Sequence, residues 1–140
     1  ALVSITITDV VESSTLTLAN VNENAPENAP YTASAPALTG TPIGSVTYTI
    51  SGGADQAQFT GINAATGEVT LAAQDFENPI DANGDNVYEV EVTITDADGN
   101  TDTALVSITI TDVIESSTLT LADVNENAPE NAPYTASAPA

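Results

Sequence analysis

The chain has 140 residues and carries 20 Asp plus Glu but no Lys, Arg or His, for a formal charge of −20. That excludes nucleic-acid binding, which needs Lys and Arg against phosphates, and docking on an anionic membrane; with no Cys there is neither a disulfide nor thiol chemistry. A disordered acidic tail is excluded too, because the apolar fraction is 41% and strongly patterned.

In chain order, Val3, Ile5 and Ile7 alternate with Ser4, Thr6 and Thr8 and read as a strand, and Leu16 and Leu18 fit a shorter one. Pro26, Pro30, Pro36 and Pro42 predict an extended, irregular path over residues 22–44. Val46, Tyr48 and Ile50 form the next strand, broken at Ser51-Gly52-Gly53. Ala54 to Gln58 has room for one helical turn at most, Gly61 reads as an extra residue in a strand, and Asn63-Ala64-Ala65-Thr66-Gly67 reads as a hairpin turn. Tyr88, Val90, Val92 and Ile94 alternate with Glu and Thr; after the turn at Asp98-Gly99-Asn100, Val106, Ile108 and Ile110 alternate with Ser107, Thr109 and Thr111. The period is 2 throughout, with an apolar face to bury (Tyr48 and Tyr88 included) and a Thr-rich face to wet, so the fold is all-β.

Residues 1–37 and 104–140 are the same segment, a period of 103, with two differences: Val11 becomes Ile114 and Asn20 becomes Asp123. A period near 100 exceeds any solenoid repeat and is the size of an autonomous β-sandwich domain. The chain therefore reads as a window on a tandem array: residues 1–11 as the last strand of a preceding repeat, 12–113 as a complete one, and 114–140 as the start of the next. No apolar run approaches a membrane span. The chain opens mid-pattern at Ala1-Leu2-Val3, so a missing signal peptide says nothing about secretion.

The carboxylates cluster. Asp81, Asn83 and Asp85, in the stretch Asp75-Phe76-Glu77-Asn78-Pro79-Ile80-Asp81-Ala82-Asn83-Gly84-Asp85-Asn86, recur at every second residue, so a curled loop can turn three oxygens onto one ion. A solvated turn is the plain alternative for this loop and for Asp96-Ala97-Asp98-Gly99-Asn100. Asp112 and Glu115, mirrored by Asp9 and Glu12, form a third group at the repeat boundary, and Glu23 and Glu27 a fourth in the Pro-rich stretch. Single charge runs are usually solvated surface; four acidic groups in a chain without cations point to calcium, which takes six to eight oxygens in a tolerant geometry.

Over its whole period the chain resembles the cadherin-like repeats of large bacterial surface and biofilm adhesins. The residues that carry the resemblance are Val46-Thr47-Tyr48-Thr49-Ile50-Ser51-Gly52-Gly53, Phe59 to Gly67, Asp75-Phe76-Glu77-Asn78-Pro79, Thr95-Asp96-Ala97-Asp98-Gly99-Asn100 and Ile108-Thr109-Ile110-Thr111-Asp112-Val113. The resemblance implies a seven-stranded Greek-key sandwich whose domain junctions bind calcium. It implies that Glu27, Asp75, Glu77 and Asp112, with Glu115 nearby, serve the C-terminal junction, and that Asp96 joins Asp9 and Glu12 at the N-terminal one. Phe76 stands where the family has Arg, and the usual Asp-x-Asp between the first two strands is missing, since Ala33 to Thr41 carries no acid. Asp123-Val124-Asn125-Glu126-Asn127 also reads as a linker motif, in a register that would place the boundary later and make Glu23 or Glu126 a ligand.

The expectation is a calcium-stiffened spacer repeat of an extracellular, bacterial cell-surface adhesin or fibre. Its partners would be neighbouring identical repeats. The alternative is a filament or sheath subunit that associates with like molecules by strand exchange. Only six aromatics are present, which leaves little for sugar stacking. Without His, Cys or Lys a paired-carboxylate glycosidase is nearly the only enzyme chemistry open, and metal explains the paired acids better.

Overall fold

A computed structural model of the chain describes residues 1–8 and 13–140. Nine strands follow in order: β1 (Thr15–Leu18), β2 (Val21–Pro26), β3 (Tyr31–Thr32), β4 (Leu38–Thr41), β5 (Thr47–Gly52), β6 (Phe59–Ile62), β7 (Val69–Leu71), β8 (Val87–Thr95) and β9 (Thr101–Thr111). The helical turn expected near Ala54–Gln58 is the 3-10 helix Gln56–Gln58. The Pro-rich stretch is more regular than its composition suggests: β2, β3 and β4 all lie within it, separated by the prolines.

One layer is the four-stranded sheet β2-β9-β8-β5, in which β2 runs parallel to β9 and the other neighbours are antiparallel. The other is built from β3-β7-β6 and the pair β1-β4. Counting β1 with β2 and β3 with β4 as single passes of the chain gives the seven strands of an all-β Greek-key sandwich. The first pass is split because β1 pairs with β4 whereas β2 crosses to β9. Asn20 fixes that crossing, its Oδ1 accepting the Leu105 N–H at 2.9 Å.

The period-2 reading holds where it was strongest. Tyr88, Val90, Val92, Ile94, Val106 and Ile108 are all fully buried and meet Val69 and Leu71 of the opposite layer in one apolar cluster. Tyr48 and Tyr88 point inward as expected. The bulge expected at Gly61 is the register shift between Phe59 and Gly61 against β7. The turn at Asn63–Gly67 closes through Gly67 N–H to Asn63 O (2.8 Å). Gly67 has φ +87 and a Cβ there would lie 2.7 Å from the Tyr48 ring, so only glycine fits.

The flanks behave differently from their copies inside the sandwich. Residues 1–8 repeat residues 104–111 of β9, yet they pair with no strand, and Leu2, Val3, Ile5 and Ile7 are exposed. Leu119 and Leu121, copies of Leu16 and Leu18, are exposed likewise.

Leu71→Ala, which opens a cavity between the layers, is expected to lower stability by about 3 kcal/mol in urea denaturation. Leu119→Ala, 93% exposed in the wild-type chain, is expected to change it by less than about 0.5 kcal/mol.

Candidate metal centre

The C-terminal end of β9 is where the acids converge. Pro26 ends β2 opposite Thr111, and Glu27 follows, its N–H donating to Thr111 O at 3.2 Å. The Glu27 side chain is 4% exposed. Its Oε2 accepts the Phe76 N–H and its Oε1 the Val113 N–H, each at 2.8 Å. One buried carboxylate thereby joins the end of β2, the loop after β7 and the segment leaving β9. These amide donors, Phe76 first and Val113 second, hold the Glu27 carboxyl below its ordinary pKa.

Glu77 and Glu115 come to the same point, and one carboxylate oxygen from each of Glu27, Glu77 and Glu115 lies within 4.8 Å of the others. No Lys, Arg or His exists to neutralise them. At Glu77 its own backbone N–H favours the charge, but partial burial and the carboxylates of Glu27, Asp112 and Glu115 outweigh it and raise the pKa. Three hard oxygens held this close, in a chain without side-chain cations, have the donor chemistry of a calcium site. Asp75 turns its Oδ1 to its own loop, accepting the Glu77 and Asn78 N–H groups at 3.0 and 3.1 Å, and so shapes the turn that presents Glu77.

Asp96 lies at the other end of the sandwich, since Thr95 pairs with Thr101 at the start of β9 whereas Val87 pairs with Thr109 near its end. It is 5% exposed and accepts Ile43 N–H (3.1 Å), Asp98 N–H (3.0 Å) and Asn100 N–H (2.9 Å). Burial opposes its charge, but the amides of Ile43 and Asn100 outweigh this and hold its pKa well below the carboxylate range. Asp9 and Glu12, its expected partners, lie outside the described residues. Asp98 is exposed in the same turn.

The Asp81–Asp85 loop is curled as expected. Asp81 accepts N–H groups from Asn83, Gly84, Asp85 and Asn86, and Asn83 Nδ2 donates to Asp85 Oδ2 at 3.0 Å. Burial raises and these four amides lower the Asp81 pKa, with a net lowering. In this arrangement the backbone occupies the Asp81 carboxylate, and Asp81, Asn83 and Asp85 do not join the three glutamates.

Three contributors escaped the sequence reading. Asn28 has φ 65, a left-handed conformation Asn tolerates, and its Nδ2 donates to Glu115 Oε1 at 2.9 Å. Asn86, with φ 63, donates through Nδ2 to Phe76 O (3.0 Å) and steadies the loop that carries Glu77. Asp55 is buried, its two oxygens accepting Ala82 N–H (2.6 Å) and Glu89 N–H (2.9 Å), which ties the Asp81 loop to β8. The first two sit beside a motif acid, a faint signal; nothing in the sequence separates Asp55 from a surface acid. Glu23, the ligand of the later register, instead accepts Tyr31 O–H and Ser34 N–H, each at 3.1 Å.

The fold is thus an acid-rich β-sandwich with three glutamates gathered where the chain leaves β9. The chain belongs to the cadherin domain family, whose description it matches over residues 17–111. Among solved structures it is similar to the protocadherin gamma B4 extracellular domain (TM-score 0.57, 22% identity, 74% of this chain and 17% of that one). It is similar also to domains 1–5 of protocadherin gamma B2 (TM-score 0.57, 17% identity, 86% and 24%). A third similar structure is Drosophila N-cadherin domains 1–4 (TM-score 0.53, 25% identity, 67% and 23%). The chain thus spans less than a quarter of each of these structures. No curated protein sequence matches it. Cadherin domains are extracellular, non-enzymatic adhesion modules that generally bind calcium. Among the described residues no helix is long and apolar enough to cross a membrane.

Two experiments follow. Glu77→Gln removes one of three mutually repelling charges, so it is expected to raise the melting temperature of the metal-free chain and to reduce the increment that calcium adds; paired melts with chelator and calcium read both. Asp96 has a depressed folded-state pKa, so its stabilisation is complete above the ordinary value of 3.8 and is lost as pH falls below it. Asp96→Asn should therefore melt lower than wild type at pH 7, with the gap closing as pH drops from about 4 towards 2.

Proposed function

We propose that the chain is a calcium-stiffened spacer repeat, part of a tandem array in a large bacterial surface adhesin or extracellular fibre that serves cell adhesion and biofilm. The observation that carries this reading is the convergence of Glu27, Glu77 and Glu115 within 4.8 Å at the exit of β9, with no cation in the chain to balance them. With repeat boundaries read from the sequence at 12 and 113, that convergence would fall at the junction with the next repeat. Glu27, Glu77 and Glu115, with Asp75 and Asp112, would hold calcium there. Asp96, Asp98, Asp9 and Glu12 would do so at the preceding junction, and Asp81, Asn83 and Asp85 on the flank. Bound calcium supplies the positive charge that lets these carboxylates stay together. Glu27 is anchored to three segments of one domain while Glu115 lies beyond its last strand, so an ion shared between them restrains the angle at which the next repeat leaves. The near-identity of residues 1–37 and 104–140 favours a spacer, since equal copies single out none for chemistry.

The test is calorimetric melting of the chain with chelator and with calcium. Calcium at 100 times its dissociation constant adds about 2.7 kcal/mol to the folded state. For a domain of this size that is expected to raise the midpoint by about 10–20 °C. An unchanged midpoint would sink the reading.

A further inference from the structure

Asn83 is the chain's one asparagine followed by glycine; every other precedes Val, Glu, Ala, Pro or Thr. At such a step the side-chain amide can cyclise onto the main chain, because no Cβ on the next residue crowds the attacking nitrogen. Gly84 has φ +77, and a Cβ built on it would meet nothing within 4 Å. Both residues are exposed, so hydroxide reaches them. The loop also keeps the reacting atoms together. Asn83 Oδ1 accepts the Asp85 N–H at 3.2 Å, and Asn83 Nδ2 donates to Asp85 Oδ2 at 3.0 Å. The Oδ1 bond closes an Asx turn whose ring of atoms contains both Asn83 Cγ and Gly84 N.

That nitrogen is not free to react. The backbone N–H groups from Ala82 through Val87 all donate to carboxylates: Ala82 to Asp55, Asn83, Gly84, Asp85 and Asn86 to Asp81, and Val87 to Asp85. Gly84 shares Asp81 Oδ1 with Asn83 and Asp85, so an exposed turn is held by a bond at every residue. Cyclisation requires Gly84 N to lose its proton before it attacks Asn83 Cγ. An aspartate, with an ordinary pKa near 3.9, is too weak a base to take that proton. Its negative charge instead opposes the second charge that deprotonation would create beside it. At about 3 Å in water that repulsion lowers the population of the amide anion about tenfold.

We infer that Asn83 is a deamidation site of this chain and that the Asp81 carboxylate, bound to the Gly84 N–H, is the guard that sets its rate. In the reaction a bond forms between Gly84 N and Asn83 Cγ, the Cγ–Nδ2 bond breaks, and ammonia leaves with the proton lost from Gly84. Water then opens the cyclic imide. Attack at the side-chain carbonyl leaves aspartate at position 83. Attack at the backbone carbonyl leaves isoaspartate, with one more carbon in the main chain. Either product adds a carboxylate to a loop that already holds Asp81 and Asp85, and isoaspartate ends the Asx turn. The reaction needs no metal, so it stands whether or not calcium stiffens the array.

The experiment incubates the whole chain at neutral pH with chelator and follows the mass gain at Asn83 by peptide mapping. The same chain in concentrated urea is the unguarded reference. The folded chain is expected to react at least about tenfold more slowly than the unfolded one. Asp81→Asn keeps an acceptor oxygen and drops the charge, so it should react about tenfold faster than the folded wild type while its rate in urea is unchanged. Asp85→Ala removes the partner of Asn83 Nδ2 but leaves the Gly84 bond to Asp81, and should change the rate far less. Comparing the two substitutions separates the Asp81 charge from a general loosening of the loop, and melts show that each variant keeps its sandwich. Equal rates for folded and unfolded wild type, an Asp81→Asn chain as slow as wild type, or equal acceleration by the two substitutions would each overturn the proposal.

Discussion

Glu27 is the residue on which the rest of the site depends. Its carboxylate is buried, and its two oxygens accept amides from the loop after β7 and from the segment leaving β9. A buried, unpaired acceptor is costly, so both segments are held to it. Once they are, Glu77 has no choice but to face Glu27, and Glu115 is brought to the same point by Asn28. The charge cluster is a surface cluster built on a buried, hydrogen-bonded brace: Glu27 is buried, whereas Glu77 and Glu115 are exposed beside it.

That arrangement explains how a sandwich folds within a chain of charge −20. The core is ordinary: aliphatic and Tyr side chains from two layers, completely buried along β8 and β9. The three buried carboxylates among the described residues, Glu27, Asp55 and Asp96, each accept two or more backbone N–H groups, and half-buried Asp81 does the same. Amide dipoles replace the missing cations for these acids. Glu77 is the exception, raised by its neighbours' charges. The proposed calcium would act where the backbone cannot.

The repeat has a second consequence. One sequence occurs in two environments within the chain, so the contrast between copies isolates tertiary context. Ile108 and Ile5 are the same residue in the same neighbours, yet one is fully buried and the other exposed. Strand propensity and alternation are equal in both; what differs is the presence of β8 and β2 on either side. Local pattern makes a segment fit for a sheet, and only neighbours make it a strand.

Much was legible beforehand. Alternation of Val, Ile and Tyr with Thr and Glu determined which faces of β8 and β9 are buried, because side chains on a strand alternate strictly. The near-identity of residues 1–37 and 104–140 determined the repeat, and Gly61 and Gly67 marked a bulge and a tight turn through their lack of a side chain. The sequence could not reveal the split first pass, in which β2 leaves β1 to run parallel to β9, because long-range pairing leaves no local periodicity. Nor could it separate Glu27, Glu77 and Glu115 from the remaining acids, or show that Asp55 is buried. Acid spacing along the chain is compatible with many clusters. Only the packing of three distant segments around one carboxylate decides which oxygens meet.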